Sequence, residues 1–317
     1  MKQFTIQNNE ANQTLEKYVK KVLNEAPLSF IYKLFRKRDV KVNGKRSDMK
    51  TRLKEGDIVE IYVSDEKLED FKKETILPND KIKDLVVYED ENIMIINKPK
   101  GMLTQKENKN SLSLDQLAVA YYLYKNKAEN LSTFTVAPAH RLDRNTSGLI
   151  VFGKSVEVMQ ELLKAFKNHK NIEKHYLALV NGVVKEKGEI KLALTKDENN
   201  KIMKIGKVTE GAKSAWTIFS PLKIYGEFTL LDVQILTGRT HQIRAHMLAA
   251  MHPIVGDQKY GDFKINKTFK EKFGFLNQFL HAYKIVFHNL DGKLAYLNER
   301  KFEIDLPEKE TALLRKL

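Results

Sequence analysis

The chain has no cysteine, which excludes disulfides, thiolate metal sites and a cysteine nucleophile together. Long apolar runs are also missing. No stretch approaches the ~18 consecutive apolar residues of a membrane-spanning helix, and residues Met1 to Glu10 contain no apolar signal core. The expectation is a cytoplasmic protein with no membrane partner. No segment repeats at a fixed period, which sets aside repeat architectures.

What is present is an ordinary soluble globular mixture, 317 residues with 42% hydrophobic and 30% charged. That length supports one large and one small domain with a closed core. The 55 Lys and Arg against 41 Asp and Glu leave a net charge of +14. A soluble chain this basic usually meets a polyanion, nucleic acid first. General richness in Lys, Asn and Ile is the other source of such a balance.

The first 64 residues read as a small module. Leu15, Tyr18, Val19, Val22 and Leu23 recur at a helical period. Pro27-Leu28-Ser29 opens a second helix through Phe30, Ile31, Leu34 and Phe35, with Lys33, Arg36, Lys37 and Arg38 mostly on its other side. Val40-Lys41-Val42 then alternates as a strand, Asn43-Gly44 signals a type I′ turn, and Gly56-Asp57 introduces a strand from Ile58 to Val63. The module holds 14 Lys and Arg against 8 Asp and Glu. Arg36, Lys37, Arg38, Lys41 and Lys45 gather on the second helix and the strand after it, as candidate phosphate contacts. Residues 65–82 are charged, poor in apolar residues and contain Pro78-Asn79-Asp80, which reads as a linker. Residues 83–317 form the second domain.

Val86 to Met102 reads strand, turn, strand, then a turn shaped by Pro99 and Gly101 that brings the Lys98 side chain or nearby backbone amides toward a substrate. Asp115–Tyr124 is a helix burying Leu117, Ala118, Tyr121 and Tyr122. Val156–Phe166 is another, with Val158, Met159, Leu162, Leu163 and Phe166 apolar. Glu173–Gly182 alternates as a strand, and on local grounds its Tyr176 reads as a buried tyrosine with a satisfied hydroxyl. Residues 185–215 are polar, and Asn199-Asn200 and Gly206-Lys207 mark hairpins reaching from a sheet edge. Trp216–Phe219 and Phe228–Ile235 pair as strands. Leu236–Met247 runs from strand through a glycine turn into a helix whose first turn carries Arg239, His241 and Arg244, a ready anion site. His241 and His246 are five apart, on diverging helix faces, with no carboxylate as in His-Glu-x-x-His, so no metal site is expected.

The chain's most informative stretch is His140-Arg141-Leu142-Asp143-Arg144-Asn145-Thr146-Ser147-Gly148, leading into the apolar strand Leu149–Gly153. One carboxylate, Asp143, is bracketed by His140, Arg141 and Arg144, whose charge and hydrogen bonds favour carboxylate over acid. Asn-Thr-Ser-Gly is turn chemistry, so the carboxylate sits on a loop at the mouth of a sheet. The pattern fits a carboxylate nucleophile or base facing a negatively charged substrate. On local chemistry alone, an exposed loop with ion pairs fits as well.

This order of residues resembles the signature of the RluA family of RNA pseudouridine synthases, whose members carry His-Arg-Leu-Asp, a polar residue and Thr-Ser-Gly. Asn97-Lys98-Pro99-Lys100-Gly101, Lys174-His175-Tyr176-Leu177-Ala178, Arg239-Thr240-His241-Gln242-Ile243-Arg244 and Gly256-Asp257 with Tyr260-Gly261 match in the same order, over nearly the whole chain. Residues 1–64 resemble the αL RNA-binding module (S-four-type) shared by a small-subunit ribosomal protein and tyrosyl-tRNA synthetases. The resemblance implies an α+β fold with a mixed, mostly antiparallel central sheet and flanking helices, plus that small N-terminal domain. It implies conversion of uridine to pseudouridine in structured RNA, without cofactor or metal, by a monomer.

Asp143, Tyr176 and Arg244 are implied as catalytic. Asp143 attacks the anomeric carbon or the uracil ring, or abstracts a sugar proton to give a glycal. Arg141 would fill the gap left by the flipped base, Tyr176 would stack on the uracil, and Ile243 would line the base pocket. His140, Arg144, Arg239, His241 and Lys98 complete the implied RNA-contacting set. Large-subunit ribosomal RNA is preferred over tRNA because of the appended module. The rival readings are a non-catalytic RNA-binding or assembly protein, and a nucleotide hydrolase using His241 and Asp143.

Overall fold

The computed structural model describes residues 1–64, 66, 67, 71, 76–107, 111–127, 134, 136–197 and 202–317. The elements begin with β1 (Lys2–Thr5), α1 (Leu15–Val22), α2 (Leu28–Lys37), β2 (Val40–Val42), β3 (Lys45–Arg46) and β4 (Ile58–Ile61). Then come β5 (Val86–Glu89), β6 (Ile93–Lys98), α3 (Leu114–Lys125), β7 (Ala137–Pro138), β8 (Ser147–Gly153), α4 (Val156–Lys167) and β9 (Ile172–Asn181). Four strands follow as β10 (Gly188–Ile190), β11 (Leu194–Asp197), β12 (Ile202–Ile205) and β13 (Thr217–Tyr225). The chain closes with β14 (Phe228–Ile235), α5 (Gln242–Ala249), α6 (Phe263–Phe273), β15 (Leu280–Phe287), β16 (Lys301–Glu303) and α7 (Glu308–Leu314).

The chain separates into two compact units. The first holds Met1–Met94, Asp115–Ala139 and Phe152–Leu162; the second holds Ile95–Leu114, His140–Val151 and Leu163–Leu317. In the first, β1, β4, β2 and β3 form an antiparallel sheet in that order. The apolar stripes of both helices close over it, with Leu15, Tyr18 and Val19 from α1 and Ile31 and Leu34 from α2 meeting Val59 and Ile61. Asn43 and Gly44 both take positive φ, 51° and 74°, as a type I′ turn requires. Of the linker expected over 65–82, residues 65, 68–70 and 72–75 lie outside the described residues. Phe71 packs with Phe30, ring centroids 5.1 Å apart, and Ile82 is buried.

The second unit carries a mixed sheet in the order β10-β13-β14-β9-β15-β8-β6, with β16 paired to β15. The β10/β13, β13/β14, β14/β9 and β9/β15 pairs are antiparallel; β15/β8 is parallel. Every residue of β8 is buried, as a strand without alternation and with both faces covered should be. Gly148 makes the parallel pairing possible: its φ is 120°, and a Cβ there would lie 2.2 Å from the Ala282 carbonyl oxygen. α6 and α7 pack on one end of the sheet through Phe269 and Leu313, against Leu179, Leu230 and Phe279. β11 and β12 form a two-stranded hairpin; its tip, including Asn199-Asn200, lies outside the described residues.

Two local expectations shift. α5 begins at Gln242, so Arg239 and His241 precede it rather than sharing its first turn. The cause is His241, whose left-handed backbone (φ 52°) starts the helix one residue later. Leu163 of α4 is exposed, and the helix buries Val158, Leu162 and Ala165 instead. Among the described residues no helix is long and apolar enough to cross a membrane.

Candidate active site

The loop from His140 to Ser147 is fixed almost residue by residue within the second unit. His140 Nε2 accepts the Val151 N–H at 3.1 Å, and the imidazole lies against Phe166, centroids 4.6 Å apart. Burial, with the Lys174 charge nearby, pushes its pKa down to about 3, so the ring is a neutral pin on β8. Thr104 Oγ1 donates to the Leu142 carbonyl and accepts the Leu142 N–H, at 3.0 and 3.1 Å. Gly101 N–H donates to the Arg144 carbonyl at 2.9 Å, and Arg144 Nε returns a bond to the Gly101 carbonyl at 3.0 Å. Thr146 N–H closes the turn on the Asp143 carbonyl, and Gln278 Nε2 donates to Thr146 Oγ1.

Lys98 explains how two turns meet here. Its side chain is wholly buried, and Nζ donates to the carbonyls of Pro99, Met102 and Arg144 at 2.9–3.1 Å. Burial lowers its pKa to about 7 against the field of Asp143. Three carbonyls match the three N–H groups of the ammonium, so the charged form is the one that satisfies them. The amine therefore turns inward, joins the Pro99–Met102 turn to the Asp143 loop, and keeps no donor for a substrate.

None of His140, Arg141 and Arg144 bonds to the Asp143 carboxylate among the described residues; the partner comes from α5. Arg244 Nη1 donates to Asp143 Oδ2 at 2.8 Å. The rest of the guanidinium is taken by Asp257, Nε to Oδ2 at 2.6 Å and Nη2 to Oδ1 at 2.9 Å, a bidentate fork. Asp257 is fully buried and also accepts the N–H groups of Lys259 and Tyr260. Burial works against the Arg244 charge, but the bonds and fields of Asp257, then of Asp143, outweigh it and raise its pKa. The Tyr260 ring covers the guanidinium, 4.9 Å from centroid to Cζ.

α5 is aimed by its first residue. Gln242 donates to the Trp216 carbonyl and Thr217 Oγ1 and accepts from Thr237 Oγ1 and the Arg239 N–H, using both ends of its amide. Ile243 is buried beside it. His246 spends its two ring nitrogens on Thr217 and the Leu192 carbonyl. His241 Nε2 stands 3.8 Å from Asp143 Oδ2. Tyr176, on the inward face of β9, is buried, and burial followed by the Asp143 charge raises its pKa. Its phenol is therefore protonated at neutral pH.

The structure thus gathers Asp143, Tyr176, His241, Arg244 and Lys98 in one unit. Arg141 is exposed, and Arg239 Nε donates to the Ser214 carbonyl. Arg36, Lys37, Arg38 and Lys45 are exposed on the first unit, and Lys41 donates to the Tyr62 hydroxyl there. Sequence reasoning assigned no role to Asp257, Tyr260 or Gln242. The signal available was that all three stand in stretches matching the family, Gln242 in Arg239–Arg244 and the other two in Gly256-Asp257 with Tyr260-Gly261.

Residues 92–249 match the family described as RNA pseudouridylate synthase. The ribosomal large subunit pseudouridine synthase C of Vibrio parahaemolyticus is 32% identical over 310 residues, 95% of this chain and 91% of that one. The enzyme of the same name from Haemophilus influenzae is 32% identical over 326 residues, 100% of this chain and 95% of that one. The chain belongs to the RluA family of RNA pseudouridine synthases. Human RNA pseudouridylate synthase domain containing 4 shares the fold, with a TM-score of 0.58 at 20% identity over 74% of this chain and 94% of that one.

Proposed function

We propose that this chain isomerises uridines of large-subunit ribosomal RNA to pseudouridine as a monomer, with Asp143 as the group that meets the nucleotide. The observation that carries the reading is the Asp143–Arg244 pair, 2.8 Å long and backed by buried Asp257. The names of the two relatives support the RNA.

In the reaction the bond between uracil N1 and the sugar's anomeric carbon breaks, the ring turns, a bond from carbon five forms, and the carbon-five proton leaves. The change is atom-balanced and redox-neutral, so the scheme draws on no cofactor. Attack on the sugar, attack on the ring and proton abstraction to a glycal share one requirement, an ionised carboxylate held at a fixed angle. Arg244 supplies the hold. The target base must leave its stack, and exposed Arg141 is placed on the same loop to fill the gap. Tyr176 offers a flat ring for the uracil. Burial first, and the Asp143 charge second, hold its phenol protonated, so its part is to stack on the base. The basic surface of residues 1–64, an RNA-binding domain in this reading, supplies phosphate contacts through Arg36, Lys37, Arg38 and Lys45.

The test is Asp143→Asn with unmodified large-subunit ribosomal RNA carrying tritium at uridine carbon five. Release should fall at least about a thousandfold while RNA affinity stays within a few fold. A rate within tenfold of wild type removes Asp143 from the chemistry.

A further inference from the structure

The turn from Val255 to Gly261 reaches the Asp143 carboxylate by two routes. Through Asp257 it holds Arg244; through Tyr260 it holds His241. The turn itself is tightly built. Gly256 has φ 80°, and a Cβ there would lie 2.3 Å from the Asn277 carbonyl oxygen. Asn266 accepts the Gly256 N–H at 2.7 Å and donates to the Asp257 carbonyl at 2.8 Å.

Tyr260 is buried, and its hydroxyl has two partners among the described residues. Oη accepts the Met203 N–H at 2.6 Å and lies 2.9 Å from His241 Nδ1. With the amide proton directed at it, the oxygen's own single proton is left for the imidazole. A histidine that accepts at Nδ1 carries its proton on Nε2. That nitrogen faces Asp143 Oδ2 at 3.8 Å, the same oxygen that Arg244 bonds. The charged groups facing His241 are Asp143 and Asp257 on one side of the balance and Arg244 and Lys259 on the other. Burial comes first among the influences and lowers its pKa, so the neutral ring is the working form.

We propose that Tyr260 locks His241 as the Nε2–H tautomer, so that His241 and Arg244 together hold Oδ2 and leave Oδ1 as the oxygen presented to the nucleotide. The inference rests on the reading of Asp143 as the reacting carboxylate. His241 and Tyr260 are positioning residues in it; neither exchanges a proton with the substrate. The 3.8 Å gap shortens when RNA excludes water from the site, as hydrogen bonds in unliganded active sites often do.

Three measurements test it. In wild-type protein labelled with nitrogen-15 in histidine, the His241 cross-peaks should show the Nε2–H pattern at neutral pH. Tyr260→Phe keeps the ring over Arg244 but removes the hydroxyl. It should mix the tautomers and slow single-turnover tritium release roughly tenfold or more, with RNA affinity within twofold. His241→Gln, whose amide nitrogen stands near the Nε2 position, should retain several times the rate of His241→Leu, and Tyr260→Phe should add little in the His241→Leu background. An Nδ1–H pattern in the wild type overturns the proposal without any variant needing to fold. So does a Tyr260→Phe rate equal to wild type. If Asp143→Asn stays active, the underlying reading fails; if Asp143→Asn is dead and Tyr260→Phe is unimpaired, only the tautomer lock fails.

Discussion

Arg244 is bound by two carboxylates of unequal standing. Asp257 takes two of its donors deep in the protein, and Asp143 takes the third at the edge of the site. Asp257→Asn keeps the acceptor for the Lys259 and Tyr260 amides but turns an amide N–H₂ toward Arg244. Breaking a buried pair by neutralising one partner typically costs about 3–5 kcal/mol. The variant should melt earlier and turn over at least about a hundredfold more slowly, with RNA binding nearly unchanged. Calorimetry and single-turnover assays would check both halves; unchanged melting would show that the fork is not a structural support.

Two buried histidines give the protein an acid limit. Burial pushes His140 down to about 3 and His281, bonded to Ser147 Oγ, down to about 4. The unfolded chain takes up these protons near pH 6.5, so it binds more protons than the folded chain below that value. Stability is complete above about pH 6.5 and is lost progressively toward pH 3–4. His140→Gln should shallow the fall in melting temperature with acid by about one proton; an unaltered slope would place the sensitivity elsewhere.

Among the elements, α7 matters out of proportion to its length. Glu310, nearly inaccessible to water, pairs with Lys100, whose Nζ also donates to the Gln278 carbonyl at 2.8 Å and lies over the Phe275 ring at 5.1 Å. Lys100 belongs to the same turn as Gly101, which exchanges bonds with Arg144, so the last helix braces the turn that holds the carboxylate loop. Glu310→Gln should lower the melting temperature by on the order of 10 °C, and Lys100→Met with Glu310→Leu should recover much of the loss. Failure of the double variant to recover would mean that the pair does more than fill space.

Elements were readable from the sequence because their patterns are local: α1, α2, α4 and β9 lie where helical spacing or alternation puts them, and β8 where a continuous apolar run does. Asp143, Tyr176 and Arg244 were legible through a family signature. Asp257 and Tyr260 stood in a matching stretch without a role, and Glu310 in none, since burial of a charged or polar side chain depends on which distant segment closes over it. Lys98 shows the same limit in reverse. A lysine beside a Pro-x-Gly turn looks ready for an anion, but the carbonyls of Pro99, Met102 and, from 46 positions away, Arg144 turn it inward.

Across the whole molecule the +14 charge sets how RNA is met. Residues 1–64 cannot be removed cleanly, because Asn9 donates to the Phe134 carbonyl and Gln160 to the Asn12 carbonyl within the first unit. Replacing exposed Arg36, Lys37 and Lys45 by Ala avoids that damage. If each contacts a phosphate, the slope of log affinity against log salt should flatten by roughly 2–3, with the rate at saturating RNA unchanged. An identical slope would assign that face to another partner.

The bracing of Asp143 by segments far along the chain also governs when in its synthesis the enzyme can act. A ribosome that has just added Gly256 has made Asp143, Tyr176 and Arg244, but neither the carboxylate that aims the arginine nor Tyr260, and Glu310 comes later still. A growing chain that has not yet reached Asp257 and Tyr260 should therefore turn over no RNA. Stalled chains ending at Gly256 should release no tritium, whereas full-length chains held on the ribosome by a C-terminal extension should.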